Sequence, residues 1–205
     1  MKQTVVTLDL EGVLVPEIWI AFATHTGIDE LRLTTRDIAD YDELMAHRMR
    51  ILAKHGFNLT DIQDVIARLT PMPGAKEFLD SLRQETQVII LSDTFNQFAK
   101  PLMAQLGWPT IFCHELIIDD GAIVGYQLRQ KDQKKKAVQA LQGLNFAVIA
   151  AGDSHNDLAM IQQAETGILY CPPQILVENY PDLPMAWDYD DLRREIDVAL
   201  TEIRR

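Results

Sequence analysis

The chain of 205 residues has only two cysteines, Cys113 and Cys171, far apart and outside any CxxC pair. It therefore has neither a disulfide framework nor a cysteine zinc site, and a reducing cytoplasm suits it. No apolar run approaches the ~20 residues of a membrane span. Asp9 and Glu11 interrupt the N-terminal apolar stretch, which excludes a signal-peptide core. Positive charge is scarce, with 19 Lys and Arg against 30 Asp and Glu and a net charge of −11. Broad capture of nucleic acid or anionic lipid needs a basic surface, so neither partner is expected. Internal repeats, low-complexity tracts and Gly/Ser linkers are missing as well. The expectation is a cytoplasmic globular protein, to which a homodimer is open.

What is present is a 47% hydrophobic content, enough for one core of ordinary size with a small inserted lobe. Residues 4–8, 88–91, 111–113, 146–150 and 167–171 form short, mostly continuous apolar runs, the pattern of strands buried on both faces of a parallel sheet. Helical spacing lies between them, at Phe78, Leu79 and Leu82, at Phe95, Phe98, Ala99, Leu102 and Leu106, and at Ala137, Val138, Leu141 and Leu144. The alternation predicts an α/β fold with a doubly wound, mainly parallel sheet. Asp119-Asp120-Gly121, inside 116–128, reads as the turn of a small β-hairpin flap. Residues 16–71 show helical patterns and no convincing strand, so the expected division is a core of 1–15 and 72–205 with a helical cap of 16–71. A capping box of Thr60 with Gln63 is the expected start of one cap helix. Leu192, Ile196, Ala199, Leu200 and Ile203 form a last amphipathic helix against the sheet.

Three of the strands end in polar clusters: Asp9-Leu10-Glu11-Gly12, Ser92-Asp93-Thr94, and Gly152-Asp153-Ser154-His155-Asn156-Asp157. In a doubly wound sheet such ends meet in one ligand crevice. Singly, each cluster reads more readily as a helix N-cap. Their order, with a lysine run at 131–136 between the second and third, resembles the haloacid dehalogenase superfamily of phosphohydrolases. That superfamily carries Asp-x-Asp, then Ser or Thr, then Lys, then Gly-Asp-x-x-x-Asp. Within it the sequence resembles the phosphoserine phosphatase-like group, closest to the bifunctional phosphoserine phosphatases that are also phosphoserine:homoserine phosphotransferases. Residues 9–22, 42–52, 88–95, 125–132 and 150–157 carry this likeness.

The chemistry accounts for the residue types. A phosphomonoester dianion accepts a carboxylate nucleophile only where cations offset the charge and fix in-line geometry. The resemblance implies that Asp9 is the nucleophile and that Mg²⁺ is held by Asp9, Asp153 and the Glu11 carbonyl, an oxygen set the ion favours. Asp157 then orients Asp153 or a metal-bound water, or else caps a helix. Glu11, two residues on, points to the same side in an extended segment and serves as the acid for the leaving alcohol. It stands where the superfamily has Asp, one methylene longer. Ser92 and Lys134, with Lys131 as the alternative lysine, bind the phosphoryl oxygens, and the Asp93 amide joins them as a helix-start donor.

On a helix over 41–55, at about 100° per residue, Tyr41, Leu44, Met45, Arg48, Ile51 and Leu52 share one face and Arg50 lies opposite. A guanidinium on an apolar face needs an anion, from the protein or from a ligand. The resemblance assigns it to the substrate carboxylate, with Glu17 on the α-ammonium and Asn156 as a further contact. Glu17 reads otherwise as an acid favoured by a helix N-terminus. His155 has no assigned role. The implied activity is Mg²⁺-dependent transfer from O-phospho-L-serine to water or homoserine. The rivals are another small phosphomonoester and a phospho-acceptor signalling module, although such a module lacks the lobe and Glu11.

Overall fold

A computed structural model describes residues 2–34, 37–38 and 40–204. Its elements, in order, are β1 (Gln3–Leu8), α1 (Ile18–Thr26), a 3-10 turn (Asp29–Arg32), α2 (Tyr41–His55), α3 (Leu59–Ile66), α4 (Ala75–Arg83), β2 (Gln87–Phe95) and α5 (Asn96–Gln105). There follow β3 (Thr110–Asp119), β4 (Ala122–Gln127), α6 (Gln133–Gly143), β5 (Phe146–Gly152), α7 (Leu158–Gln163), β6 (Thr166–Tyr170), α8 (Gln174–Asn179), β7 (Met185–Ala186) and α9 (Tyr189–Ile203). The sheet order is β4-β3-β2-β1-β5-β6-β7, parallel except for the β3–β4 hairpin. The α/β fold and the flap are therefore as the sequence predicts.

Alternation across β1 explains the two layers. Val6 and Leu8 pack in one cluster with Phe78, Leu79, Leu192 and Ile196, and Val5 packs in the other with Ala137, Val138, Met160 and Ile161. Both faces are thus covered by helices, which is why β1, β5 and β6 read as unbroken apolar runs. The chain leaves β1 toward β2 and β3 on one side and later returns to β5 on the other. That reversal opens a crevice beyond the ends of β1 and β5, where Asp9 and Asp153 lie.

Three boundaries differ from expectation for physical reasons. β2 does not stop at Leu91 but runs through Ser92-Asp93-Thr94 to Phe95, with its register against β3 shifting between Leu91 and Phe95. β3 joins the expected third strand to the first arm of the hairpin, pairing with β2 and then with β4. α3 is capped by a reciprocal box of Asn58 and Asp61, not Thr60 and Gln63. Asn58 has the extended backbone a cap needs, and the Gln63 side chain instead donates to the Gln97 carbonyl. β7, two residues beside β6, has too little sequence to leave a periodic signal. Among the described residues no helix is long and apolar enough to cross a membrane.

Candidate active site

The loop after β1 is fixed by apolar burial: Leu10, Val13, Leu14 and Val15 are each 0% exposed. Backbone bonds from the Leu14 and Val15 amides to the Leu10 carbonyl close a turn, and the Tyr189 hydroxyl donates to the Val13 carbonyl. The segment is consequently a turn and not the extended stretch that the sequence predicts. It turns at Gly12, whose φ is +80° and whose added Cβ would lie 2.6 Å from Asp153 Oδ2. Glu11 nonetheless faces the same cleft as Asp9. Its Oε2 accepts the Ile18 amide at 2.9 Å, the first residue of α1.

Asp9 is buried, and its Oδ1 accepts the Leu10 amide at 2.7 Å. Lys134, at the start of α6, places Nζ 3.0 Å from Asp9 Oδ2, 2.7 Å from Asp157 Oδ1 and 3.6 Å from Asp93 Oδ2. Lys131 is exposed, so of the two lysines only Lys134 stands in this cluster. Asp157 is fully buried, and its Oδ2 accepts the amides of Asp153 at 3.0 Å and Ser154 at 3.1 Å. The two alternatives for Asp157 are therefore compatible: it closes a box with Ser154 at a 3-10 turn and also fixes the Asp153 backbone. Gly152 makes room for it, since a Cβ there would lie 2.3 Å from Asp157 Cγ.

Oxygens of Asp9, Asp153 and Asp157 lie within 4.8 Å of one another. Burial, then the charge of Asp157, pushes the Asp9 carboxyl well above its ordinary range, against the pull of Lys134. One lysine does not neutralise such a set. Hard carboxylate oxygens at this spacing fit a small divalent cation such as Mg²⁺, and a notch with room for glycine alone lies beside one of them. Glu11 is pushed to about 7 by burial and by Glu17, opposed by the Ile18 amide, the Thr94 hydroxyl and Arg48. A carboxyl in that range can hold a proton at neutral pH and give it up.

Ser92 is buried at the end of the apolar part of β2, and its Oγ accepts the Thr94 amide at 3.2 Å. Asp93 departs from expectation, because α5 begins only at Asn96 with Phe95 as its cap. Its amide is strand backbone, not a helix-start donor. The side chain is instead a hub: Gln133 Nε2 donates to Oδ1 at 3.0 Å, and Asn156 Nδ2 donates to Oδ2 at 3.1 Å. Burial opposes the Asp93 charge, yet Lys134 and bonds from His114, Gln133 and Asn156 hold its carboxyl well below the usual carboxylate range.

Sequence reasoning missed His114, Gln133 and Tyr41 as neighbours of the site. His114 ends up buried at the same sheet edge as Asp93, with Nε2 3.5 Å from Asp93 Oδ1. Gln133 is buried beside Lys134. The Tyr41 hydroxyl donates to the Asp93 carbonyl at 3.1 Å. Tyr41 does share Arg48's face in the periodicity, and that was a usable signal.

Arg48 sits, as predicted, on the buried face of α2, with Arg50 exposed opposite. Its guanidinium lies 4.5 Å over the Trp19 ring, Nη2 donates to the Leu33 carbonyl at 3.0 Å, and Nε is buried with no hydrogen-bond partner. Among the described residues no carboxylate lies within ion-pair distance of it. Burial lowers its pKa to about 10, offset in part by Tyr41, Glu11 and Glu17. Glu17 caps no helix N–H with its side chain, although it precedes α1. Arg48, Glu17, Trp19, Asp9, Lys134 and Asn156 all line one cleft of about 800 Å³. His155 lines it too, exposed.

Residues 4–165 match the model of the haloacid dehalogenase-like hydrolases. The chain is 59% identical over 189 residues to a protein of Pseudomonas aeruginosa named phosphoserine phosphatase ThrH, covering 92% of each. It is 56% identical over 189 residues to a phosphoserine phosphatase of Pseudomonas syringae pv. tomato, covering 92% of this chain and 80% of that one. A substrate-bound phosphoserine phosphatase complex superposes with a TM-score of 0.77 at 20% identity, over 97% of this chain and 99% of the other. A phospho-aspartyl intermediate analogue of phosphoserine phosphatase gives 0.76 at 21% identity with the same coverage. With the family model spanning most of the chain and a relative above half identity along nearly all of it, this protein belongs to the haloacid dehalogenase-like hydrolases.

Proposed function

We propose that the chain transfers the phosphoryl group of O-phospho-L-serine through an aspartyl-phosphate on Asp9, to water and to homoserine. The observation that carries the substrate assignment is Arg48: a buried guanidinium with an unbonded Nε and no carboxylate partner among the described residues, in the cleft that holds Asp9. A buried cation of this kind is complete only when a ligand supplies the anion. The substrate carboxylate fills that role, and Glu17 in the same cleft takes the α-ammonium. The relatives named phosphoserine phosphatase support the same substrate.

In this reading residues 16–71 form the cap over a core of 1–15 and 72–205. Asp9 Oδ2 attacks phosphorus, Ser92, Lys134 and Asn156 hold the phosphoryl oxygens, and the serine oxygen leaves with the Glu11 proton. Glu11 then removes a proton from the incoming hydroxyl, and an attack on the aspartyl-phosphate regenerates Asp9. Asp9, Asp153 and the Glu11 carbonyl would hold Mg²⁺, with Asp157 fixing Asp153 from behind. The ion offsets the charge of two anions brought together. Homoserine is serine with one more methylene, so the Arg48 and Glu17 clamp accepts either amino acid. A cap that excludes water favours the alcohol.

Phosphorus NMR of the protein with phosphoserine, Mg²⁺ and homoserine tests each part. The expected spectrum shows phosphohomoserine growing with homoserine concentration beside free phosphate. Free phosphate alone would remove the transfer, and an unchanged phosphoserine signal would overturn the substrate and redirect attention to other small phosphomonoesters.

A further inference from the structure

Asp93 has no part in the steps above that requires its side chain, and its position is awkward for a phosphatase. It adds a fourth carboxylate to Asp9, Asp153 and Asp157, in the lining of the cleft that a dianion must enter. Its Oδ2 sits on two donors, Asn156 Nδ2 at 3.1 Å and Lys134 Nζ at 3.6 Å. These are the groups assigned above to the phosphoryl oxygens. Gln133 and His114 hold the other oxygen at 3.0 and 3.5 Å, and the Tyr41 hydroxyl fixes the backbone at 3.1 Å. The carboxylate is thus an internal anion on a seat suited to an external one.

We propose that Asp93 is a positioning residue that competes with bound phosphate for Lys134 and Asn156, and thereby limits affinity for the product, inorganic phosphate. The inference rests on the reading that a phosphoryl group is transferred at Asp9. Between turnovers the carboxylate occupies Asn156 and shares Lys134 with Asp9 and Asp157. A phosphoryl group must draw them away from Asp93, which leaves a like charge close by and weakens binding of any free dianion. Phosphoserine offsets that penalty through its amino-acid end. Phosphate, which lacks that end, does not, so product leaves while substrate stays.

The test is isothermal titration of inorganic phosphate into the wild-type protein and Asp93→Asn, with Mg²⁺ present. Asn keeps the shape and removes the charge. The dissociation constant for phosphate is expected to fall by roughly tenfold, the equivalent of about 1.4 kcal/mol. Equal affinity, weaker affinity, or no measurable binding by either protein overturns the proposal. A merely structural role would weaken binding, so the direction of the change separates the two. Asp93→Ser serves as the second variant if Asp93→Asn does not fold. L-Serine, which has no phosphoryl group, should change its affinity less than about twofold between variants; a gain equal to that for phosphate would also overturn the idea. If the wild type binds phosphate yet leaves phosphoserine intact, the substrate assignment fails while the phosphate comparison still decides the role of Asp93.

Discussion

Replacing Arg48 by Met should leave the protein about as stable and make it far worse at handling phosphoserine. At pH 7 the guanidinium is charged in both the folded and the unfolded chain. Its lowering to about 10 on burial corresponds to a cost of about 3 kcal/mol, present throughout the range below pH 10. Methionine, apolar and similarly long, removes that cost. Against it stand the lost stacking on Trp19 and the bond to the Leu33 carbonyl, both desolvated and made by a charged group, and together worth about 3 kcal/mol or slightly more. The balance is close to zero, so for a chain of this size Tm should move by less than about 2–4 °C. Loss of a buried charge-assisted contact to the substrate carboxylate costs about 3–4 kcal/mol, so KM for phosphoserine should rise roughly 10²–10³-fold. Phosphoethanolamine is phosphoserine without the carboxylate, and its kcat/KM should change less than about threefold. Scanning calorimetry and steady-state phosphate release with both substrates measure all of this. A Tm lowered by several degrees, or equal damage to both substrates, would show that Arg48 has a partner within the protein.

For Glu11, raised from 4.5 to about 7 on folding, the folded state binds the extra proton between those values. Stability of the metal-free protein therefore declines as pH rises through that window; Glu11→Gln should flatten the decline and add up to about 3 kcal/mol at pH 8, read by urea denaturation. Lys134→Met should reduce phosphoserine turnover below detection by leaving Asp9 and Asp157 without their shared cation, whereas exposed Lys131→Ala should keep it within about twofold. Gly12→Ala forces a Cβ to 2.6 Å from Asp153 Oδ2 and should raise the Mg²⁺ concentration for half-activity by roughly tenfold. Gly27→Ala, also at positive φ but with open space around it, should cost only about 1 kcal/mol in thermal unfolding and leave the Mg²⁺ requirement unchanged.

The parts of this molecule that could be read from sequence are those governed by short-range patterns. β1 and β5 are buried on both faces, so their apolar runs identify them, and α2 carries Arg48 on a stripe that 3.6 periodicity resolves. Asp9 and Asp153 follow such strands, Ser92 ends the apolar part of β2, and all three inherit their placement. Gln133, His114 and the side chain of Asp93 are different, because nothing in their spacing brings α6, β3 and β2 to one point. Their meeting depends on β2 continuing past Leu91 with a shifted register, and on β3 curling from β2 onto β4. Tertiary pairing decides both. The same holds for the α3 cap, where Asn58 and Thr60 carry equally good capping side chains and backbone geometry selects the first.

Glu11 joins the two kinds of information. From sequence it is an acid one methylene longer than the residue type its family uses there, with its reach undetermined. In the structure that reach has a specific end: Oε2 accepts the amide of Ile18, the first residue of α1. An aspartate at position 11 would fall short by about one C–C bond, roughly 1.5 Å, and would leave that amide exposed to the cleft. The longer acid therefore ties the residue proposed as proton donor to the helix that follows Glu17, so the loop after β1 and the start of α1 hold one geometry. A change in the position of α1 must then move the Glu11 carboxylate as well. In the proposed reaction, the proton that leaves with the serine oxygen is then available in the arrangement that also presents Glu17 and Arg48 to the amino-acid end of the substrate.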